Sequence, residues 1–269
     1  MKKSLVKKLL VVDGNTDQGS SNIKNFEGLT YVPLFTKAIQ TIGDYEIDAA
    51  YPTREGFIQP SIDELKKYDG ILWTGSSLSV NDTPEFVEPQ IELCQNAFKS
   101  QTPIYGSCWG LQVAVAASGG KVKSAQAGYE IGVMEKLTLT KEGKDHYLFK
   151  NKAEPISSYC VHKDYIEEIP QDSTLLAFNE FCPVQALEIR HKGGVFVGVQ
   201  YHPEFDSKQM ISTYNRLHDL LLKSEYFSNS SEHLNEVTAL EDEIKNNEDA
   251  FYNNEKYRLL EIKNWLDTL

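Results

Sequence analysis

The residues best suited to chemistry in this sequence are Gly106-Ser107-Cys108-Trp109-Gly110, which follow the run Pro103-Ile104-Tyr105 and precede Leu111-Gln112-Val113-Ala114-Val115. An apolar run, a glycine-flanked cysteine and an apolar segment at helical spacing predict strand, sharp turn and helix. Cys108 sits at the apex, where the glycines prevent clashes. A helix starting there aims its free N–H groups and positive end at the sulfur, which favours thiolate. The second stretch is Val195-Phe196-Val197-Gly198-Val199-Gln200-Tyr201-His202-Pro203-Glu204-Phe205. Here a buried strand runs into His-Pro-Glu, and Pro203 turns the backbone so that Glu204 can reach the His202 imidazole. A carboxylate on one ring nitrogen fixes the tautomer and raises the basicity of the other. Each half has a plain alternative: Cys108 as a small buried hydrophobe, and His202 as a strand-end histidine near a surface glutamate. Together in one chain they point to a cysteine nucleophile with a histidine base.

The elements that must position these residues alternate. Lys8 to Asp13 reads as a buried strand, and residues 14–30 as a long polar loop. A helix is predicted over Tyr31 to Ile42, a strand over Glu46 to Ala50, and a short helix to about Tyr68 behind the capping box Ser61-Ile62-Asp63-Glu64. Asp69 to Trp73 is a third strand, ending in the turn Thr74-Gly75-Ser76-Ser77. Pro84 begins a helix to about Lys99. Such strand–helix alternation predicts an α/β fold: an open, mostly parallel sheet with helices on both faces. Ligands collect beyond the carboxyl ends of strands in such sheets, where both the Gly75 turn and Cys108 lie. After Gly119-Gly120 the texture changes to short strands and turns, a small antiparallel addition. Val133 to Leu139, Ile156 to Val161 and Thr174 to Phe178 are strands, with a turn at Glu142-Gly143. Val184 to Ile189 and Val195 to Gln200 pair as a hairpin, and Asp206 to Leu222 is an amphipathic helix.

A chain of 269 residues can bury a full core, and one domain with an extension fits it better than two equal domains. Its net charge of −12 argues against a nucleic-acid partner or an anionic membrane surface, either of which needs a basic face. No stretch approaches the roughly 20 apolar residues of a membrane span. Met1-Lys2-Lys3 with Leu9-Leu10-Val11-Val12 resembles a signal start, but Asp13 ends the apolar run too early, so a cytoplasmic protein is expected. Cys94, Cys108, Cys160 and Cys182 form no C-x-x-C pair and have no zinc-like spacing, so they are read as free thiols.

The composition shifts after Lys223. We expect a domain over residues 1–223 and an acidic helical extension over 224–269. Residues 225–269 hold eleven acidic against four basic residues, with apolar positions at helical steps (Leu234, Val237, Leu240, Ile244; then Leu259, Ile262, Leu266, Leu269). Two helices are expected, covered by the parent domain or in a homodimer through the extension; docking of a foreign partner is the other reading.

In motif order and spacing, residues 8–222 resemble the class I glutamine amidotransferases, whose elbow has the form G-x-C-x-G-x-Q and whose late motif is H-P-E. The likeness is strongest to stand-alone members similar to the amidotransferase domain of GMP synthase and to γ-glutamyl peptidases. It takes in Gly119-Gly120-Lys121-Val122, Gly128-Tyr129-Glu130-Ile131-Gly132, His162-Lys163-Asp164 and Pro183-Val184-Gln185-Ala186. The resemblance implies Cys108 as nucleophile, His202 as general base and acid, and Glu204 as the orienting carboxylate. It implies an oxyanion hole from the Trp109 N–H and one N–H of the Gly75-Ser76 turn. Gln112 and the backbone of His162 to Asp164 would hold a γ-glutamyl group. His162 itself is read equally as a contact or a structural histidine, and Tyr129 and Glu130 as site rim or core. Two positions depart from the family: Gly75-Ser76-Ser77 replaces Gly-Gly-Pro, and Leu111 stands where histidine is frequent. The implied substrate is a small molecule, glutamine or a γ-glutamyl compound, with no metal and no organic cofactor. Three functions follow: a glutaminase that passes ammonia to a separate synthetase subunit, or else a γ-glutamyl peptidase or a catalytically silent binding module.

Overall fold

The computed structural model describes residues 6–81, 83–126, 128–246 and 254–269. The Met1-Lys2-Lys3 start and residues 247–253 of the tail lie outside them. The first half runs β1 (Lys7–Val12), α1 (Asp17–Asn25), α2 (Tyr31–Ile42), β2 (Tyr45–Ala50), α3 (Ile62–Leu65), β3 (Gly70–Trp73), α4 (Pro84–Ser100), β4 (Ile104–Ser107) and α5 (Trp109–Ala117). The second half continues with β5 (Lys121–Ser124), β6 (Glu130–Leu139), α6 (Lys141–Asp145), β7 (Ile156–His162), β8 (Asp164–Glu168), β9 (Ser173–Phe178), β10 (Ala186–His191) and β11 (Gly194–Val199). It closes with α7 (Ser207–Lys223), α8 (Ser230–Asn246), α9 (Glu255–Arg258) and α10 (Leu260–Leu266).

Among the described residues, nine strands make one sheet in the order β2-β1-β3-β4-β11-β10-β9-β6-β7, and β5 pairs with β8 in a separate ribbon. The strands from β2 to β11 run parallel. The remaining four extend the sheet antiparallel. Side chains alternate across a strand, and β1 shows both faces covered. Leu9 and Val11 join Phe35 and Ile39 of α2 in one core cluster, whereas Leu10 and Val12 join Phe98 of α4 and Val113 of α5 in another. Register brings Trp73, Gly106 and Gly198 side by side. The chain leaving β3, β4 and β11 therefore emerges at one edge of the sheet.

Three expectations need correction. The polar stretch 14–30 contains α1, whose N-cap Thr16 accepts from the Gly19 N–H; only Gly19 and Ile23 of this helix are buried, so the sequence shows almost no apolar periodicity. The capping box at Ser61 is present, but α3 stops at Leu65 and turns follow to Tyr68. Glu142-Gly143 lies inside the short helix α6, capped by Thr140. The strand β8 has no counterpart among the expected elements, because its burial alternates over only three residues.

The tail folds back on its own chain. Leu259, Ile262, Trp265 and Leu266 enter the cluster that contains Leu9 and Phe35, and the Trp265 ring lies 5.7 Å from Tyr105. Buried polar groups are matched there. The Lys152 ammonium donates to Glu261 Oε2 at 2.8 Å and to the Tyr257 carbonyl at 3.0 Å, while the Tyr201 hydroxyl donates to Glu261 Oε1 at 2.7 Å. The stripe expected on α8 is split: Val237 and Leu240 are buried against residues of α7, but Leu234 is 61% exposed. A helix resting mainly on one neighbour buries a seam narrower than its apolar positions.

Candidate active site

At the end of β4, Cys108 adopts φ 51° and ψ −103°, a left-handed backbone that side chains seldom occupy. Its N–H donates to the Val199 carbonyl at 2.8 Å, which ties the turn to β11. The chain can turn this tightly because Gly110 presses on β3: a Cβ there would lie 2.7 Å from the Trp73 Cβ and 2.8 Å from its carbonyl oxygen. α5 starts at Trp109, so the first-turn N–H groups have no acceptor within their own helix and lie beside the sulfur. Leu111 is fully buried in the core behind the turn. The Cys108 thiol donates to the Val161 carbonyl at 3.7 Å.

His202 follows β11 and is held by its N–H, which donates to the Tyr159 carbonyl at 2.7 Å. Its Nδ1–H donates to Glu204 Oε1 at 2.7 Å, and the ring stacks on Phe205 at 4.1 Å. The Ser107 hydroxyl donates to the same Glu204 oxygen at 3.0 Å. Nε2 has no hydrogen-bond partner among the described residues, and the imidazole lies within electrostatic reach of the Cys108 sulfur. Burial by itself pushes the imidazole down, but the Glu204 carboxylate and the Cys108 sulfur outweigh it and raise the ring to about 10. By contrast, burial pushes the thiols of Cys94, Cys160 and Cys182 up.

Cys108 opens into a cleft of about 330 Å³, shared by the turn after β3, the strands β7 and β8, and α7. The Gly75 turn closes on His202: a Cβ at Gly75 would sit 2.9 Å from the imidazole Cε1 and 3.1 Å from the Tyr31 ring. Ser76 lines the same cleft. On the opposite wall, Gln112 is buried and its amide donates to the Asp164 carbonyl and to Gln200 Oε1, both at 3.3 Å. The Asp164 carboxylate accepts from the Ser79 and Ser124 hydroxyls. The His162 ring is engaged at both nitrogens, with the Asp164 carbonyl at 3.1 Å and Glu130 Oε2 at 2.8 Å. Glu130 also accepts from Asn179 and Gln185; burial raises it, but His162 and these amides leave it below the usual carboxylate range. Glu130 thus braces the strand behind the cleft and does not line it, whereas half-buried Tyr129 does.

Several residues of the site escaped the sequence. Ser107, next to Cys108, was the only one with a local signal. Tyr31, Ser79, Ser124 and Arg216 reach the cleft from elements far apart in the chain. Arg258, from α9 in the tail, donates to the Pro203 carbonyl at 2.6 Å, between His202 and Glu204.

The family described as Glutamine amidotransferase class-I matches residues 41–218. A Gamma-glutamyl-L-1-hydroxyisopropylamide hydrolase from a Pseudomonas species is 29% identical, with 97% of this chain and 92% of that protein aligned. A glutamine-hydrolysing GMP synthase subunit from Methanocaldococcus jannaschii is 32% identical across 53% of this chain and 68% of its own. The crystal structure of a glutamine amidotransferase from Thermotoga maritima superposes with a TM-score of 0.68 at 17% identity, covering 98% of both chains, a likeness of fold.

Proposed function

The chain belongs to the class-I glutamine amidotransferase family, and from that we propose that it hydrolyses γ-glutamyl amides through a thioester on Cys108. The observation that carries this reading is the pairing of His202 with Glu204 at 2.7 Å beside a thiol at a strained, glycine-flanked turn. His202, raised to about 10 by its partners, takes the thiol proton and leaves a thiolate at the helix start. The thiolate attacks the γ-carbonyl carbon. The oxyanion is held by the Trp109 N–H and an N–H of the Gly75-Ser76 turn, each donor worth ~10²–10³ in rate. His202 then gives its proton to the departing nitrogen, the C–N bond breaks, and an amine leaves. Water deprotonated by His202 cleaves the thioester and releases glutamate.

In this reading Gln112 and the His162–Asp164 backbone, with the Asp164 carboxylate and its two serine hydroxyls, hold the α-amino and α-carboxyl end of the γ-glutamyl group. Tyr129 forms the rim. Release of an amine is favoured over release of ammonia because the relative aligned over nearly the whole chain, tail included, is named for hydrolysis of a γ-glutamyl amide. The likeness to a separate GMP synthase subunit supports a second reading, in which the substrate is glutamine and the ammonia goes to a synthetase on another chain. The test is to incubate the purified protein with glutamine and with γ-glutamyl amides of small amines and to measure glutamate. Turnover that survives Cys108→Ala would remove the thioester.

A further inference from the structure

We infer that the cleft carries a second subsite, built on Arg216, for the carboxylate of an amino-acid leaving group, so that the preferred substrates are γ-glutamyl amides of amino acids. This rests on the reading of Cys108 as nucleophile toward a γ-glutamyl carbonyl. The chain has four arginines. Arg54 pairs with Asp17, Arg190 with Glu188, and Arg258 with the Pro203 carbonyl. Arg216, half-buried on α7 and lining the Cys108 cleft, has neither a hydrogen bond nor an ion pair among the described residues. A guanidinium left without an acceptor in a reactive cleft presents a planar fork of donors, the geometry that fits a carboxylate with two parallel bonds.

The position of Arg216 decides which end of the substrate it meets. The γ-glutamyl end occupies the wall of Gln112 and Asp164. The departing nitrogen must take its proton from His202, so the leaving group lies on the His202 side of Cys108. Tyr31 stands beside His202, since a Cβ on Gly75 would lie 2.9 Å from the imidazole and 3.1 Å from the Tyr31 ring, and buried Phe205 packs on both rings, 4.1 Å from the imidazole and 6.5 Å from Tyr31. Tyr31 lines the cleft, and the Arg216 charge acts on its phenol, opposing the rise that burial causes. Arg216 therefore shares the Tyr31 side of the cleft, the side on which the departing nitrogen lies. Leu217 and Leu220 of the same helix also line the cleft, giving apolar contact for the side chain of the departing amino acid. The balanced reaction is a γ-glutamyl amino acid plus water giving glutamate plus the free amino acid.

The experiment compares kcat/KM for γ-glutamylglycine, its neutral isostere γ-glutamylglycinamide, and the γ-glutamyl amide of ethylenediamine, whose leaving group is cationic. The wild-type protein is expected to prefer γ-glutamylglycine to the glycinamide by about tenfold or more, the scale of one charge-assisted pair in a cleft. Arg216→Ala should bring that ratio close to one, and Arg216→Glu should invert the order in favour of the cationic amide. A wild-type ratio near one overturns the subsite, and so does a uniform loss on all three substrates in Arg216→Ala, which would place Arg216 against the α-carboxylate. The ratio in the wild-type protein needs no variant to fold. Glutamate release from glutamine by the same preparation, with no preference for γ-glutamylglycine, sinks the subsite alone. No glutamate from any of these substrates sinks the thioester reading with it.

Discussion

The buried ion pair that fastens the tail gives a prediction with a magnitude. Lys152 and Glu261 both have fully buried side chains, and Glu261 also accepts from Tyr201, the residue before His202. Removing one partner of a buried pair leaves an uncompensated charge and costs about 3–5 kcal/mol. At roughly 2–4 °C per kcal/mol for larger domains, Glu261→Ala should lower Tm by about 6–20 °C. Replacing both partners by apolar residues, Lys152→Met with Glu261→Leu, should recover about 2 kcal/mol of this. The residue of the loss, about 1–3 kcal/mol, comes from the Tyr201 hydroxyl left without its acceptor. Thermal unfolding followed by circular dichroism measures both variants, and glutamate release measured beside it reports the site. Release should fall in Glu261→Ala, because loosening the tail frees the Pro203 carbonyl from Arg258. A Tm within about 2 °C of wild type for Glu261→Ala, or a double variant no better than the single one, would refute the reasoning.

Three further outcomes are expected. Cys108 should be alkylated first near neutral pH, since burial raises the other three thiols; mass-spectrometric mapping that finds Cys94, Cys160 or Cys182 modified earlier contradicts this. His202 is raised in the fold from its ordinary 6.5 to about 10, so the stability it brings is complete below about pH 6.5 and is lost as pH rises through 10. Glu204→Gln weakens that rise; its deficit against wild type in urea unfolding should therefore shrink between about pH 6 and pH 10, and a constant deficit speaks against the pairing. The same variant should keep more turnover than His202→Ala, because Glu204 orients and does not transfer protons. Gly75→Ala should lose at least about tenfold in kcat/KM with the fold intact, since the new Cβ, 2.9 Å from the His202 ring and 3.1 Å from Tyr31, must displace one of them; unchanged kinetics would show that the contact has slack.

Much of the fold was legible because its signals are local. Buried parallel strands read as short apolar runs, the helices α2, α4 and α7 carry strong periodicity or a proline near the start, and the elbow is spelled out by Gly106, Cys108 and Gly110. His202 and Glu204 were legible together because Pro203 forces the turn that lets one side chain reach the other. What the sequence could not give depends on contacts between distant segments. α1 buries only two residues, so no periodicity announces it. The bracing of His162 by Glu130, the serine hydroxyls on Asp164, and the arrival of Arg216 and Arg258 near the reacting groups follow from sheet register and helix packing. The tail shows the division most plainly. Its sequence determined two apolar stripes that had to be covered, since helices that short are marginal alone in water. Which surface covers them was decided by tertiary structure: the sheet face lined by Leu9 and Val11, and the buried partners that Lys152 and Tyr201 offer to Glu261, exist only once the strands have assembled.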